Sequence, residues 1–418
     1  MPFIVIYMIS LFIAPQLWIE PFVGLRPDIF IYGIGIIPAF LSGRERLTSI
    51  TWQDLFFILM LAWIILSSSV KGFGPRTPAI IADYLKYFLL YKLVSATVGT
   101  VERLRKVSFL IILFALILAV EGIQHFHSSN GLGWAGQTLG WIDPDAARQG
   151  VRGRTRWINI FDGPGVFCVV FTIAIPFVLQ FLVGPSRWRR RILGLLVMVP
   201  IVIAIYYTGS RGGFLATLAV ISIFLAIRWG FSPMKLGIVT ALGLLIFMIA
   251  PAYITTLKDQ SHSASHRVDM WSEGIEMLQH NPVFGIGKGN FQRYTSMLIA
   301  HNSSIEIMGE TGFVGLFFWS GLIYMSLKNI VAYVQAEKDE INKSCVTALG
   351  LSVAGYVISS MFVTLEYETF YFLLGLCAVA GSQLAEPVRF TRTDFLKVFS
   401  ICTGWVLFLK GFVMAYTG

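Results

Sequence analysis

Residues 301–312 read HNSSIEIMGETG, and this polar, ionisable stretch leads directly into the apolar run 313–327. An apolar run of this kind predicts a membrane helix. Titratable side chains at the mouth of such a helix are costly to desolvate, so they usually mark a functional site. The stretch therefore predicts both the class of fold and the place where the chemistry occurs.

The rest of the chain is equally apolar. Its 418 residues are 56% hydrophobic and only 13% charged, and the mean hydropathy is +0.72. These values are far too apolar for a water-soluble domain of this size, and they predict an all-α polytopic membrane protein with about 12–13 transmembrane helices. The apolar runs fall near 2–19, 28–41, 54–70, 79–95, 106–122, 163–183, 192–208, 211–229, 234–252, 302–327, 344–364, 369–385 and 395–415.

Basic residues collect in alternate loops, such as 187–191 and 389–397. This bias predicts that those loops and the amino terminus lie in the cytoplasm. Residues 1–19 have no basic leader and no small-residue cleavage site, so we interpret them as a retained helix. The net charge of +9 is explained by the same bias. No clustered basic face is present, so the expected partners include membrane lipids and exclude nucleic acid.

Two long loops face outward in this topology, at 123–162 and 253–300. They separate three groups of predicted transmembrane helices, at 1–122, 163–252 and 301–418. We expect the function to lie between the two loops.

The first loop begins with a His-x-His pair, His125 and His127. A metal site would need further ligands at suitable spacing, and the sequence offers none, so interfacial histidines are the favoured interpretation. The loop ends in an arginine series, Arg148, Arg152, Arg154 and Arg156. This series could recruit phosphate or acidic sugar, or only contact lipid headgroups. The four cysteines have no C-x-x-C spacing, which predicts free thiols with neither disulfides nor a zinc site. No cofactor is expected.

The second loop contains Arg267, Trp271, Ile275 and Leu278 at helical spacing. This spacing predicts a short amphipathic helix on the membrane surface, ending at Asn281-Pro282. The following Gly285-x-Gly287-x-Gly289 lacks the context of a dinucleotide fingerprint and indicates tight turns.

The short connection 207–213 reads YTGSRGG and predicts a hairpin between two spans. Ser210 is a good N-cap, and Gly212 and Gly213 would let a ligand approach the backbone. Arg211 is then a cation at the positive end of a helix dipole, an unfavourable position unless an anion binds there. The alternative is an arginine that reaches lipid phosphate.

His301 is predicted in the first turn of the tenth span, where an imidazole could act as a general base or only as a hydrogen-bonding cap. For Glu306 and Glu310 a structural role is expected, through Lys86 of the fourth span. Lys86 also has the i,i+3 spacing of an ion pair with Asp83.

Three groups of residues together resemble the bacterial O-antigen ligase superfamily, which comprises lipopolysaccharide O-antigen ligases, O-antigen polymerases and protein O-oligosaccharyltransferases. The similarity covers about residues 162–315, and no single motif in it is specific. The first group is Gly209–Gly213, the second is Arg267 with Trp271 followed by the segment 281–287, and the third is His301-Asn302 with Glu310-Thr311-Gly312 and Gly315.

The resemblance implies a GT-C-like, metal-independent glycosyltransferase in the bacterial inner membrane, with its active site facing the periplasm. Such enzymes move a glycan from undecaprenyl diphosphate to a hydroxyl of lipid A core, another glycan or a protein. The resemblance assigns diphosphate binding to Arg211 and Arg267, supported by Ser210 and Gly212, and action on the acceptor hydroxyl to His301. Supporting roles are expected for Glu310, Asn302, Arg154, Arg156 and Trp271.

This sequence departs from the family pattern in two places. Residues 162–165 replace an Asn-Pro-Asn-like element, so Asp162 receives no family role, and the run 395–415 exceeds the twelve spans expected of the ligases. That last run is either an additional span or an interfacial helix.

Three alternatives stay open at this point. A polymerase of the same superfamily would use a second lipid-linked unit as acceptor. An anion transporter would need ionisable groups along a path near the bilayer midplane, and a non-catalytic scaffold would have no use for a titratable outer face.

Overall fold

The computed structural model describes residues 1–24, 27–140, 153–183, 188–230, 260–296 and 298–417. Arg148, Arg152 and the predicted span 234–252 lie outside the described residues. The chain divides into two compact units. The first comprises Met1–Gly43, Thr97–Asp259 and Ala336–Phe362, and the second comprises Arg44–Ala96, Gln260–Gln335 and Val363–Gly418.

Regular structure in the described part of the chain is helical, apart from two isolated β-bridges between residues 132 and 154. The helices are α1 (Pro2–Met8), α2 (Pro27–Thr48), α3 (Trp52–Lys71), α4 (Thr77–Val98), α5 (Val101–His127), α6 (Pro164–Val183), α7 (Trp188–Thr208), α8 (Arg211–Trp229), α9 (Gln260–His280), α10 (Phe291–Tyr294), α11 (Ser303–Ala336), α12 (Glu340–Ser359), α13 (Glu368–Gly381) and α14 (Arg392–Thr417).

Eight described helices are long and apolar enough to cross a membrane: α3, α5, α6, α7, α8, α11, α12 and α14. The predicted fold class, an all-α polytopic membrane protein, is confirmed. The last of the eight coincides with the predicted run 395–415, so that run has the length and composition of a span. The total of 12–13 spans stays a prediction.

Helix α6 forms the centre of the first unit and packs against α5, α7, α8 and α12. Polar contacts fix its register: the hydroxyl groups of Thr172 and Thr217 lie 2.9 Å apart, and Ser352 Oγ donates to the carbonyl of Ile173 at 2.7 Å. A buried hydroxyl in an apolar bundle costs free energy unless it is hydrogen-bonded, so these contacts select one alignment of the helices.

In the second unit, the hydrogen bonds of Gln53 in α3 fix the alignment of the helices. Its amide nitrogen donates to Ser326 Oγ at 2.7 Å and to the carbonyl of Leu374 at 2.9 Å, and its oxygen accepts from Asn329 at 2.7 Å. One buried side chain of α3 therefore joins α11 and α13.

Helix α11 is interrupted at Gly312, whose φ of 70° and ψ of −172° are not helical. The glycine-rich segment 281–289 supplies the replacement backbone hydrogen bonds. Phe313 N donates to the Pro282 carbonyl at 2.8 Å, while Ile286 N and Gly287 N donate to the carbonyls of Gly309 and Glu310 at 3.0 and 2.8 Å. The interruption leaves none of these groups unsatisfied, which explains how a membrane helix tolerates it.

The predicted turns at Gly285, Gly287 and Gly289 are confirmed, because all three residues have positive φ angles of 62°, 88° and 86°. A Cβ atom on Gly285 would lie 2.4 Å from the carbonyl carbon of Glu310. The close approach of this segment to α11 therefore requires glycine there.

Candidate active site

The hairpin between α7 and α8 forms as the sequence predicts. Ser210 is the N-cap of α8, and its hydroxyl accepts a hydrogen bond from Gly213 N at 3.1 Å. Arg211 is the first residue of the helix. Its Nε and Nη2 atoms are buried and have no hydrogen-bond partner among the described residues. The hairpin therefore presents a guanidinium group with unused donors at a positive helix end.

The two glycines after Arg211 have a packing role. A Cβ atom on Gly212 would lie 2.4 Å from Cβ of Phe362, and one on Gly213 would lie 2.4 Å from Sγ of Cys168. Close packing against Phe362 and Cys168 thus requires glycine at both positions. The access of a ligand to their backbone stays a prediction. Diphosphate binding through the Gly212 backbone stays a prediction.

Two arginines of the first loop have different surroundings. The backbone of Arg154 pairs with Gly140, and its charge acts on Arg211 by electrostatic repulsion. Arg156 donates to Asp162 Oδ1 at 2.7 Å and to the backbone and side-chain oxygens of Thr138 at 2.8 and 3.0 Å. The contacts of Arg156 hold the loop together, whereas Arg154 adds positive charge near Arg211.

His125 and His127 contact different neighbours. His125 is buried, with Nε2 lying 3.3 Å from the Gly131 carbonyl, and exposed His127 places Nε2 2.9 Å from the Tyr207 hydroxyl. The two imidazoles thus make separate contacts, and their location at a membrane interface stays a prediction. The four cysteines are free and buried, as predicted.

The predicted amphipathic helix of the second loop is α9, which ends at His280, immediately before Asn281-Pro282. Its buried face includes Val268, Ile275 and Leu278. Trp271 lies on the same face, and its indole nitrogen donates to the carbonyl of Ala300 at 3.0 Å. Helix α9 therefore connects directly to the residue before His301. Its location on a membrane surface stays a prediction.

His301 does not lie in the first turn of a helix, so that prediction was wrong. Helix α11 begins at Ser303, and His301 adopts a left-handed backbone conformation with φ of 52°. Oδ1 of Asn302 accepts from Ser304 N at 3.0 Å and from Ser304 Oγ at 2.7 Å, so Asn302 caps the helix. His301 therefore precedes the cap and lies outside the helix.

The residue before His301 is held at both of its backbone groups. The Ala300 carbonyl accepts from Trp271, and its N–H donates to Oε1 of Glu306 at 3.0 Å. Oε1 of Glu306 also accepts from Thr364 at 2.8 Å. His301 therefore lies between a clamped residue and a helix cap, which fixes the path of the backbone at the imidazole.

Burial and the nearby Arg267 cation lower the pKa of His301 to about 4. Burial is the larger cause, and both causes disfavour the imidazolium. The side chain is thus neutral at neutral pH and has a free electron pair with which to accept a proton. The amide nitrogen of the adjacent Asn302 is buried and has no acceptor among the described residues.

Sequence reasoning missed a buried cluster beside this segment. Nζ of Lys288 lies 2.8 Å from carboxylate oxygens of both Glu310 and Glu366, and the Tyr84 hydroxyl donates to Glu366. The expected partner of Glu306 and Glu310 was Lys86, but Lys86 is exposed and pairs with Asp83 at 3.2 Å. The sequence feature that could have pointed to Lys288 is its position among three glycines, Gly285, Gly287 and Gly289.

Glu310 also binds the glycine-rich segment. Its Oε1 accepts from Gly289 N at 3.0 Å and from Phe291 N at 2.9 Å. The predicted structural role of Glu310 is thus supported, with Lys288 as its cationic partner.

The predicted site residues form two groups. Arg211, Ser210 and Arg154 belong to the first compact unit, whereas Arg267, Trp271 and His301 belong to the second. In the first group the charge of Arg154 acts on Arg211, and in the second the charge of Arg267 acts on His301. The convergence of the two groups stays a prediction.

Residues 193–320 match the model of the O-antigen ligase family. This segment is similar to an O-antigen ligase domain. Arg211, Arg267 and His301 all fall within the matched segment, and the resemblance inferred from the sequence is confirmed. A comparison with curated proteins found no match to the chain. The match supports an O-antigen ligase or polymerase type of function, and hence a glycosyltransferase-like enzyme.

Proposed function

We propose that this protein transfers a glycan from undecaprenyl diphosphate to an acceptor hydroxyl at the periplasmic face of the bacterial inner membrane. The observation that carries the proposal is that His301, held between the clamped Ala300 and the Asn302 cap, lies near Arg267 inside the segment matched to the O-antigen ligase family. A general base and a phosphate-binding cation are the two groups that this transfer requires.

His301 acts as the general base. It takes the proton of the acceptor hydroxyl while the acceptor oxygen forms a bond to the anomeric carbon of the donor sugar. The bond between that carbon and the diphosphate oxygen breaks, and undecaprenyl diphosphate leaves with the electron pair. The imidazolium then releases its proton to solvent, which a low pKa in the free enzyme favours.

Arg211 and Arg267 bind the diphosphate. Guanidinium groups form bidentate hydrogen bonds to phosphate oxygens and neutralise the charge that develops on the leaving group, so the reaction needs no metal ion. The buried, unused donors of Arg211 support this role, because an anion there would satisfy them and relieve the repulsion from Arg154. Ser210 and the Gly212 backbone support the same anion.

Reconstitution with defined acceptors tests the proposal. Purified protein in proteoliposomes receives an undecaprenyl diphosphate oligosaccharide together with lipid A core, a second lipid-linked unit or a peptide. Transfer to lipid A core identifies a ligase, and transfer to the second lipid-linked unit identifies a polymerase. Without transfer to any acceptor under conditions in which the protein is folded, the proposal is wrong.

His301→Ala tests the base in the same assay. We expect transfer to fall by about 10²–10⁴-fold, the usual contribution of a general base. His280→Ala is the matched control, because His280 is exposed and its Nδ1 atom lies 2.9 Å from the Glu276 carbonyl of its own helix. Full activity of His301→Ala would contradict the base assignment.

A further inference from the structure

Helix α14 attaches to the second unit along one face. Its buried residues recur every three to four positions, and Trp405 falls on the same stripe. The buried residues are Asp394, Val398, Cys402, Leu409 and Val413. The opposite face is exposed, as at Leu407 and Met414, which are 64% and 63% exposed. A helix with one packed face and one open apolar face is held in position by the contacts of its packed face alone.

The first turn of α14 is fixed to α11. Asp394 accepts from Nζ of Lys328 at 2.6 Å and from the Tyr324 hydroxyl at 2.5 Å. It also accepts from Thr391 N at 2.7 Å, which caps the helix. Farther along, Phe399 and Phe313 pack with ring centroids 5.4 Å apart. Helix α14 thus runs antiparallel to α11, toward the end of α11 that begins at Ser303.

Near that end, α14 contacts two side chains that are hydrogen-bonded to the neighbours of His301. The indole nitrogen of Trp405 donates to Ser304 Oγ at 2.8 Å, and Ser304 Oγ donates to Asn302 Oδ1 at 2.7 Å. Phe412 packs on Trp271 with ring centroids 5.8 Å apart, and Trp271 donates to the Ala300 carbonyl. Each of the residues flanking His301 is therefore one side chain away from α14.

We propose that α14 holds the His301 imidazole in its working position, with Trp405 and Phe412 as positioning residues. A left-handed backbone at a residue other than glycine is disfavoured and persists only where the surroundings fix it. Trp405 and Phe412 hold Ser304 and Trp271, and these two side chains are hydrogen-bonded to Asn302 and Ala300 on either side of His301. The catalytic consequence rests on the proposed function, whereas the placement of the imidazole does not depend on it.

Trp405→Phe is the sharpest test, because it keeps an aromatic ring and removes the hydrogen-bond donor. Diethyl pyrocarbonate acylates neutral imidazole, and peptide mass spectrometry follows each of the six histidines separately. We expect acylation of His301 in Trp405→Phe to change by about three- to tenfold, the effect of one hydrogen bond. His280, exposed at the end of α9, is the internal reference and should be unchanged.

Leu407→Ala is the matched control, since Leu407 lies on the exposed face of α14. Phe412→Ala removes the contact with Trp271. This variant should also change the acylation of His301. Ser304→Ala interrupts the same hydrogen-bond chain from α11 and provides the test if Trp405→Phe does not fold, as judged by gel filtration and thermal unfolding.

The transfer assay provides the second readout. Loss of position should lower kcat by about three- to tenfold and leave the KM for the lipid-linked donor within about twofold, because the donor contacts are kept. Equal acylation of His301 in wild type, Trp405→Phe and Ser304→Ala would overturn the proposal. Acylation does not require transfer, so this result is distinct from failure of the proposed function.

Discussion

Lys288 Nζ lies 2.8 Å from Oε2 of Glu310, and both side chains are almost fully buried, at 6% and 5% exposure. Burial alone would lower the pKa of Lys288, but the carboxylates of Glu310 and Glu366 outweigh it and hold the pKa well above its usual value. Lys288 is therefore charged and stabilises two buried carboxylates. Because Glu310 also binds the glycine-rich segment, the cluster ties that segment to α11.

Lys288→Met should be strongly destabilising. The substitution leaves two carboxylates buried without their cation, and breaking a buried ion pair from one side costs about 3–5 kcal/mol. Thermal and denaturant unfolding in detergent measure the loss. Adding Glu366→Gln should recover part of the stability, because one uncompensated charge disappears.

Lys86→Met is the control for Lys288→Met, since Lys86 is half exposed and paired with Asp83. Exposed ion pairs contribute about 0–1 kcal/mol, so this variant should unfold almost as wild type does. Equal effects of the two substitutions would show that the buried cluster contributes no more than a surface pair.

The pH dependence of transfer should report the effect of Arg267 on His301. Burial and Arg267 keep the pKa of His301 at about 4, so the base is deprotonated throughout the range above pH 5. We expect kcat/KM to show no acid limb from His301 between about pH 5 and 8. In Arg267→Gln the pKa should rise, because one cause of the depression is removed, and the acid limb should move to higher pH.

Arg293→Gln is the matched control, because it removes the same charge from the same unit and Arg293 is not a cause of the His301 shift. The lowered pKa of His301 also makes the stability of the folded state depend on pH. The pKa of His301 is lower in the folded state than in the unfolded state, so its contribution favours folding above about pH 6.5 and is lost as the pH falls toward 4. An unchanged acid limb in Arg267→Gln would contradict the coupling.

Arg211 should contribute to activity at the expense of stability. Its buried Nε and Nη2 atoms have no hydrogen-bond partner among the described residues, and Arg154 repels it. Arg211→Gln should therefore unfold at the same temperature as wild type or higher, while transfer falls by about 10²-fold. Inorganic diphosphate should raise the unfolding temperature of wild type, by ligand binding to the folded state, and not that of Arg211→Gln.

Arg156→Gln is the control for Arg211→Gln, because the Arg156 guanidinium is already engaged with Asp162 and Thr138. Its loss should lower the unfolding temperature and leave the response to diphosphate intact. Destabilisation by Arg211→Gln with an unchanged diphosphate response would indicate that Arg211 is a structural cation.

Sequence reasoning succeeded where the deciding physics is local. Apolar runs of bilayer length locate the membrane helices, because the thickness of the hydrocarbon core sets their length. Ser210 caps α8 as predicted, since a cap depends on residues only three positions apart. The turns at Gly285, Gly287 and Gly289 follow from the conformational freedom of glycine.

Sequence reasoning failed where a contact joins segments that are distant in the chain, and where such a contact competes with a local pairing rule. Lys288 pairs with Glu310 and Glu366 across 22 and 78 residues, and no spacing rule reports such a pair. Lys86 was the wrong partner because it pairs with Asp83 within its own helix. The position of His301 could have been inferred, because Asn302 followed by Ser303-Ser304 is a recognisable N-cap sequence.

Gly312→Ala should prevent correct folding. The φ of 70° and ψ of −172° at this residue belong to a region that only glycine occupies readily, and a Cβ atom there would lie 2.2 Å from the Val283 carbonyl oxygen. That oxygen belongs to the backbone of the glycine-rich segment, which cannot move without losing its hydrogen bonds to α11.

Gly404→Ala is the control, because a Cβ atom on Gly404 in α14 meets no atom within 4 Å. We expect a loss of at least about 3 kcal/mol for Gly312→Ala and no loss for Gly404→Ala, measured by thermal unfolding and by the monodisperse fraction after gel filtration. Wild-type stability of Gly312→Ala would mean that α11 can straighten, and the segment that leads to His301 would then not depend on the interruption.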